Sequence, residues 1–189
     1  KLNPTEPKVQ LGGRKFVKTN NENKDSDKLE RLAGAEFYVK NAEGKYLAAA
    51  KKDAKAVTDA KAALDAAVKA YNDLTAEEQK DEKIKKEKLD AINKTQKAYN
   101  DAFVANATEY TWVDNKDDAN VVVLTSDAEG RFEIKGLEYK GGYELEEKTA
   151  PKRFAKLQSN EKFEVKEGSY NSTDAELQYN KNDTKAGYG

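Results

Sequence analysis

Two stretches within the first forty residues alternate between apolar and polar positions, which is the pattern of β-strands. Phe16 and Lys18 fall on one face of a first strand, and Val17 falls on the other. After a polar stretch, the segment LAGAEFYVK places Phe37 and Val39 together on one face. The chain is therefore expected to open with two strands.

Between residues 53 and 106 the apolar period becomes that of a helix, and the segment contains neither Gly nor Pro. Two stripes of apolar residues occur there: Val57, Leu64, Val68 and Tyr71, followed by Leu89, Ile92, Tyr99 and Phe103. Between the stripes, Thr75 and Glu78 have the spacing of a capping box, in which each side chain accepts a hydrogen bond from the other residue's amide. This pattern predicts an α-helical hairpin of two antiparallel helices, the second longer.

The β pattern resumes after the helical segment. Six further short strands are predicted at 110–113, 121–124, 131–134, 143–147, 162–165 and 175–179. Together with the first two they supply eight strands, spaced as in a β-sandwich. The fold class predicted is therefore mainly β, an Ig-like β-sandwich with an inserted α-helical hairpin.

This pattern also predicts the domain boundaries. Residues 1–11 contain two of the three prolines and have little apolar periodicity, which is typical of a linker from a preceding domain. The sandwich is expected to span residues 12–183, interrupted by the hairpin at 53–106, and to be followed by a tail at 184–189. The start and end of the sequence are interpreted as cut points in a longer protein.

Composition excludes several classes of function. The chain has no Cys, no His and no Met, so neither Cys/His zinc sites nor Ser-His-Asp triads can form within it. Its 34 basic and 35 acidic residues are interspersed, which argues against nucleic-acid binding and against a basic membrane-binding patch. No apolar run is long enough to be a membrane segment. The acidic stretch 114–118 lacks the spacing of an EF-hand, so neither a metal nor a cofactor is expected.

Four stretches resemble, in their order, the B-type domains of collagen adhesins and Gram-positive pilins. They are the first strand with LAGAEF, then DAEGRFEIKGL, then YELEEKTAP, and finally a last strand that ends in Asn. The third is similar to the pilin E-box, Tyr-x-Leu-x-Glu-x-x-Ala-Pro. The family continues with x-Gly-Tyr, whereas here Pro151 is followed by Lys152, Arg153 and Phe154.

The resemblance implies a structural function with a self-formed covalent bond. In this family a lysine of the first strand attacks an asparagine of the last strand, assisted by the E-box glutamate. On this sequence those residues are Lys18, Asn180 and Glu147, with Glu147 as the proton relay for a Lys18–Asn180 isopeptide bond. Strand alternation places Asn180 on the face opposite Tyr179, so Asn182 stays open as the partner.

The chemistry depends on burial. An amine attacks an amide only when it is neutral, and burial disfavours the charged form of a lysine. The same period-two argument places Glu147 on the face of Tyr143 and Leu145, where it is expected to stay protonated and to polarise the asparagine carbonyl. The reaction happens once in each chain, so the protein is not expected to be a turnover enzyme.

The resemblance also implies partners and a location. A C-terminal domain of a backbone pilin would lie outside the cell, on a cell-wall-anchored pilus or stalk, with other pilin subunits as its partners. The alternative is an adhesin domain whose helical insertion binds a host surface or matrix protein or a neighbouring pilus subunit. Neither an LPxTG-like signal nor a YPK motif lies in the sequence.

Overall fold

The computed structural model describes residues 1–23 and 25–171. The chain divides into two compact units: Lys1–Val9 with Ala50–Glu109, and Gln10–Ala49 with the chain from Tyr110 onward. The first is the helical unit and the second the β unit. The predicted strand 175–179, Asn180, Asn182 and the predicted tail lie outside the described residues.

The described part of the β unit contains strands arranged in two antiparallel sheets. They are β1 (Leu11–Val17), β2 (Glu36–Lys40), β3 (Tyr46–Ala49), β4 (Tyr110–Val113), β5 (Leu124–Thr125), β6 (Arg131–Glu138), β7 (Lys140–Thr149) and β8 (Glu161–Val165). One sheet pairs β1 with β6, and the other has the order β4-β3-β2-β7-β8, with β5 also paired to β2. The mainly β fold class with a helical segment is therefore confirmed.

Aromatic side chains from both sheets form the centre of the β core. Phe16 of β1 stacks on Phe132 of β6, with ring centroids 5.1 Å apart, and Phe37 of β2 stacks on Phe132 at 4.6 Å. Phe163 of β8 meets Phe16 edge-on at 5.1 Å. Such contacts add to the stabilisation that these large side chains gain from burial. The apolar residues that predicted β1, β2 and β8 thus meet in one cluster.

The strand predicted at 121–124 is wrong. Val121 makes only an isolated bridge to Ala48, the Val122 amide donates to the Leu47 carbonyl at 2.9 Å, and β5 begins at Leu124. The neighbouring strands β2 and β3 pair only at their Lys40–Tyr46 ends. Because β2 and β3 diverge beyond that point, this segment crosses from one to the other and cannot pair continuously with either.

The helical unit has three helices in place of the two predicted: α1 (Ala54–Asn72), α2 (Ala76–Gln79) and α3 (Glu82–Thr108). The predicted capping box is present, since Thr75 Oγ1 accepts from the Glu78 amide and Glu78 Oε1 accepts from the Thr75 amide. It begins only the short α2, however. Asp81 caps the start of α3 by accepting from the Lys83 and Ile84 amides, so the helix is interrupted there.

The two long helices pack through the predicted apolar stripes, with Leu64, Val68 and Tyr99 buried between them. The first nine residues, which we call the N-terminal strap, contact the same helices. The Asn72 side-chain amide exchanges two hydrogen bonds with the backbone of Leu2, both at 2.9 Å. The residues predicted as a linker therefore include nine that belong to the helical unit, while Leu11 already begins β1.

None of the helices in the described ranges combines the length and apolar character needed to cross a membrane.

Candidate functional site

Lys18 lies directly after β1, and its backbone is fixed on both sides. Its amide donates to the Gly130 carbonyl at 2.7 Å, and its carbonyl accepts from the Leu32 amide at 2.9 Å. The side chain is 5% exposed. A lysine is rarely so deeply buried unless its ammonium has a partner.

Glu147 lies on β7, opposite Phe37 of β2. Tyr143, Leu145 and Glu147 are all buried, while Glu144 and Glu146 between them are less so, as the alternation along the strand predicts. The Glu147 side chain is only 1% exposed. The acidic side chain therefore lies at the edge of the apolar core that Tyr143 and Leu145 help to form.

The fold brings these two residues together, although they are far apart in the sequence. Lys18 Nζ lies 3.5 Å from Glu147 Oε2. Because both groups are screened from water, their interaction is stronger than that of a surface pair, and separating them would leave a buried charge without compensation. A proton can pass directly between the amine and the carboxyl group at this separation, given a small approach.

The two oxygens of Glu147 have different surroundings. Oε1 accepts a hydrogen bond from the Leu157 amide at 2.8 Å. Oε2, which faces Lys18, has no hydrogen-bond partner within the described ranges. Buried polar atoms without such a partner are uncommon in folded proteins and call for an explanation at each site.

A second carboxyl group lies in the electrostatic surroundings of Lys18. Partial removal from water raises the pKa of Glu161, at the start of β8, whereas the positive charges of Arg14 and Lys18 act in the opposite direction. Sequence reasoning did not identify Glu161 or the Leu157 amide. A backbone amide has no residue-type signature, so no sequence pattern marks it.

Tyr143 is also buried beside this site, but its hydroxyl is already used. It donates to the Glu138 carbonyl at 2.8 Å, and burial raises its pKa far above the usual range. The phenol therefore stays neutral at physiological pH and is not a base for the Lys18 amine. Among the described residues, no cluster of acidic side chains is arranged to hold a metal ion.

The fold and the lysine–glutamate contact define a β-sandwich domain that encloses a charged pair. The family model of the SpaA prealbumin-like fold domain matches residues 83–181, slightly more than half of the chain. The chain belongs to this family. The E-box stretch and the candidate Asn180 fall within the matched range.

Solved structures of Streptococcus pneumoniae pilus proteins are similar to the chain. The pilus backbone RrgB is 43% identical with a TM-score of 0.56, and the match covers 100% of this chain and 42% of that one. A full-length RrgB pilus protein is 42% identical with a TM-score of 0.55, covering 100% and 31%. A full-length major pilin RrgB is 46% identical with a TM-score of 0.50, covering 90% and 28%.

The chain thus spans less than half the length of each of these pilus proteins. No curated protein sequence matches it.

Proposed function

We propose that the chain is a structural domain of a Gram-positive pilus or cell-wall-anchored surface stalk, stabilised by an autocatalytic isopeptide bond between Lys18 and Asn180. The observation that carries the proposal is the buried contact of 3.5 Å between Lys18 Nζ and Glu147 Oε2. The relatives, named as pilus backbone proteins and a major pilin, support the structural role. Such proteins are not enzymes, and this reaction runs once in each molecule.

The mechanism assigns each residue one role. The neutral Nζ of Lys18 attacks the side-chain carbonyl carbon of Asn180. Protonated Glu147 donates a hydrogen bond to the carbonyl oxygen and so stabilises the charge that develops there. Glu147 then relays a proton from the attacking nitrogen to the departing nitrogen, which leaves as ammonia. One C–N bond forms, one C–N bond breaks, and Glu147 returns to its starting protonation state.

Burial and a fixed geometry favour the proposed reaction. The side chains of Lys18 and Glu147 are 5% and 1% exposed, so water is largely excluded from around the pair. A fixed position for the reacting groups replaces a high effective concentration. Folding alone then activates the lysine.

The proposed bond would suit a protein under tension. It joins residue 18 to residue 180, so a pulling force would pass through the bond and bypass most of the sandwich between them. The proposed domain spans residues 12–183, with the hairpin of 53–106 as an insertion, and its partners would be other pilin subunits on the outside of the cell.

The alternative of host binding through the helical insertion has less support. Its apolar stripes pack against each other, with Leu64, Val68 and Tyr99 enclosed. The large apolar side chains that are exposed in the described ranges, Leu11 and Phe154, belong to the β unit. These contacts favour a structural role for the hairpin.

Intact mass tests the proposal. The unmodified chain should be lighter than its sequence by one ammonia, and Lys18→Ala or Glu147→Ala should restore the full mass. Lys15→Ala is the matched control, because Lys15 lies on β1, the strand that Lys18 directly follows, and should not affect the reaction. Peptide mapping of the linked fragment then decides between Asn180 and Asn182. A full mass for the unmodified, folded chain would exclude the bond.

A further inference from the structure

The Glu147 carboxyl group is held from the side away from Lys18. The Leu157 amide donates to Oε1 at 2.8 Å, while Oε2 lies 3.5 Å from Lys18 Nζ and accepts no hydrogen bond from the described residues. A carboxyl group can rotate and can carry its proton on either oxygen. Here the surroundings distinguish the two oxygens.

We infer that the Leu157 backbone amide is a positioning group for bond formation, because it directs the Glu147 proton to Oε2, the oxygen that faces Lys18. This inference rests on the proposed isopeptide reaction. It adds a residue from the loop after the E-box to the groups that the reaction needs.

The physical basis is the directionality of the hydrogen bond. A backbone N–H can only donate, so it requires an acceptor lone pair on Oε1. The hydroxyl oxygen of a neutral carboxyl group is a much weaker acceptor than its carbonyl oxygen, so a proton on Oε1 would weaken the hydrogen bond from the Leu157 amide. The neutral acid therefore carries its proton on Oε2. There it faces the Lys18 nitrogen, and the proposed reaction requires it to meet the asparagine carboxamide as well.

The loop is built to hold this amide in place. β7 and β8 are antiparallel neighbours, with Leu145 opposite Glu161, so the segment between them returns close to the end of β7. Within that segment Pro151 is buried and accepts a hydrogen bond from the Phe154 amide at 3.0 Å. The Leu157 side chain packs against the core and so anchors the amide that it carries.

In the reaction, the neutral Lys18 Nζ attacks the carboxamide carbon while the Oε2 proton is hydrogen-bonded to the carbonyl oxygen. The Nζ proton then passes through Oε2 to the carboxamide nitrogen. The C–N bond to that nitrogen breaks, and ammonia leaves. Oε1 keeps its hydrogen bond from Leu157 throughout, so the carboxyl group does not rotate between steps.

The decisive experiment removes the N–H and retains the side chain. Leucine at position 157 is replaced by its α-hydroxy acid analogue during cell-free synthesis, which converts the amide to an ester. Loss of ammonia is then followed by intact mass as a function of time. We expect the rate to fall about tenfold or more, as is typical for loss of a hydrogen bond to an ionisable group.

The same ester at Lys156 is the matched control. It makes the same chemical change one residue earlier, at an amide that donates no backbone hydrogen bond within the described ranges, so its rate should stay within a few-fold of the unmodified chain. Equilibrium unfolding of both chains in a Lys18→Ala background, where no bond can form, measures their structural cost separately. A purely structural role predicts that rate and stability fall in parallel in both variants.

The outcomes distinguish this inference from the proposed isopeptide reaction on which it rests. An unmodified chain that never loses ammonia overturns the isopeptide bond itself. A chain with the ester at Leu157 that reacts as fast as the unmodified one overturns only the role of Leu157. Hydrogen exchange in the Lys18→Ala chain is a second measurement that needs no ester: the Leu157 amide should be protected, and Glu147→Ala should abolish that protection. Rapid exchange of the Leu157 amide in the Lys18→Ala chain, in which Glu147 is still present, also overturns the inference.

Discussion

Gly130 determines where the Lys18 backbone lies. Its φ is +75°, a conformation that favours glycine, and a Cβ atom at this position would lie 2.6 Å from the Lys18 carbonyl oxygen. The Gly130 carbonyl also accepts the hydrogen bond from the Lys18 amide. Any side chain at position 130 would therefore push directly on the residue that carries the proposed nucleophile.

Gly130→Ala should be much more costly than an alanine at another left-handed glycine. Gly44 has a φ of +77°, and a Cβ atom added there would have no neighbour within 4 Å, so Gly44→Ala should cost only the backbone strain of about 1–2 kcal/mol. Gly130→Ala adds a clash with backbone, and we expect a loss of about 3 kcal/mol or more. Urea unfolding in a Lys18→Ala background measures both. Equal losses of stability in the two variants would show that the close approach of position 130 to the Lys18 carbonyl does not affect stability.

Arg153 is a residue in a conformation that suits glycine. Its φ is +76°, in the turn after the E-box stretch, where this chain has Lys152, Arg153 and Phe154 and no glycine. The Arg153 side chain is exposed, so its removal should cost little. Arg153→Gly should relieve strain and raise the free energy of unfolding by about 0.5–1 kcal/mol.

Lys152→Gly is the control for that substitution. Lys152 is exposed in the same turn and has no positive φ, so glycine there should leave stability unchanged or lower it slightly, through the entropy of the unfolded chain. Thermal unfolding of the two variants should therefore shift in opposite directions. A shift in the same direction would mean that the turn conformation does not limit stability.

Period-two alternation predicted the burial of one candidate side chain clearly and that of another less clearly. Glu147 shares a buried face with Tyr143 and Leu145, as its spacing predicts. Lys18 is buried, but so is Val17 beside it, so alternation does not mark the lysine. Only the resemblance to the E-box domains singled it out. The Leu157 amide was beyond prediction, because its contact depends on how the loop after β7 folds back.

At the scale of elements, the spacing of apolar residues predicted the long helices and most strands, but not the residues at which they begin and end. The stripes at 53–106 gave α1 and α3, because an amphipathic face is a long and redundant signal. The additional break came from a single side chain, Asp81, that competes for backbone amides. β3 was missed because Tyr46–Ala49 is short and ends in two alanines, and its pairing with β4 depends on residues distant in sequence.

The N-terminal strap is held to the helices by side-chain amides that mimic backbone pairing. Gln96 Nε2 donates to the Thr5 carbonyl at 2.8 Å, and Gln96 Oε1 accepts from the Thr5 amide at 3.3 Å. Asn72 makes the same pair of contacts with Leu2. The strap is thus held by two polar side chains, together with the packing of Leu2 against the apolar cluster of the helices.

Gln96→Ala should loosen the middle of the strap. Two hydrogen bonds to Thr5 are lost, so the Thr5 amide should exchange with solvent about tenfold faster, while α1 and α3 keep their protection. Hydrogen exchange by NMR measures this amide directly. Asn93→Ala, an exposed position on the same helix, is the matched control and should leave the exchange of Thr5 unchanged. If both substitutions act alike, the strap is not held by Gln96.

At the scale of the whole molecule, surface charge contributes little to stability. Five Lys–Asp ion pairs occur at i, i+4 spacing on the helices, and all of them are exposed. Such pairs typically contribute about 0.3–0.5 kcal/mol each. The chain has no Cys and hence no disulfide. Covalent reinforcement of the sandwich would therefore have to come from the proposed isopeptide bond.

The size of that reinforcement can be separated from the cost of a buried charge. Lys18→Ala alone removes the bond and also leaves Glu147 buried without its partner, which adds about 3–5 kcal/mol. The double variant Lys18→Met with Glu147→Leu removes the bond and both charged groups together. It should lose only the loop-closure contribution, about 4–5 kcal/mol for a loop of this length, by analogy with a disulfide.

Thermal unfolding, with the presence or absence of the bond checked by intact mass, orders the three chains. The unmodified chain should be the most stable, the double variant intermediate, and Lys18→Ala the least stable. The double variant has an apolar pair where the single variant has an orphaned carboxyl group and a smaller side chain, so the gap between them reports the cost of the buried carboxyl group together with the lost packing at position 18. A double variant as stable as the unmodified chain would mean that closing residues 18 to 180 into one loop adds nothing, and that the bond serves mechanical strength without thermodynamic benefit.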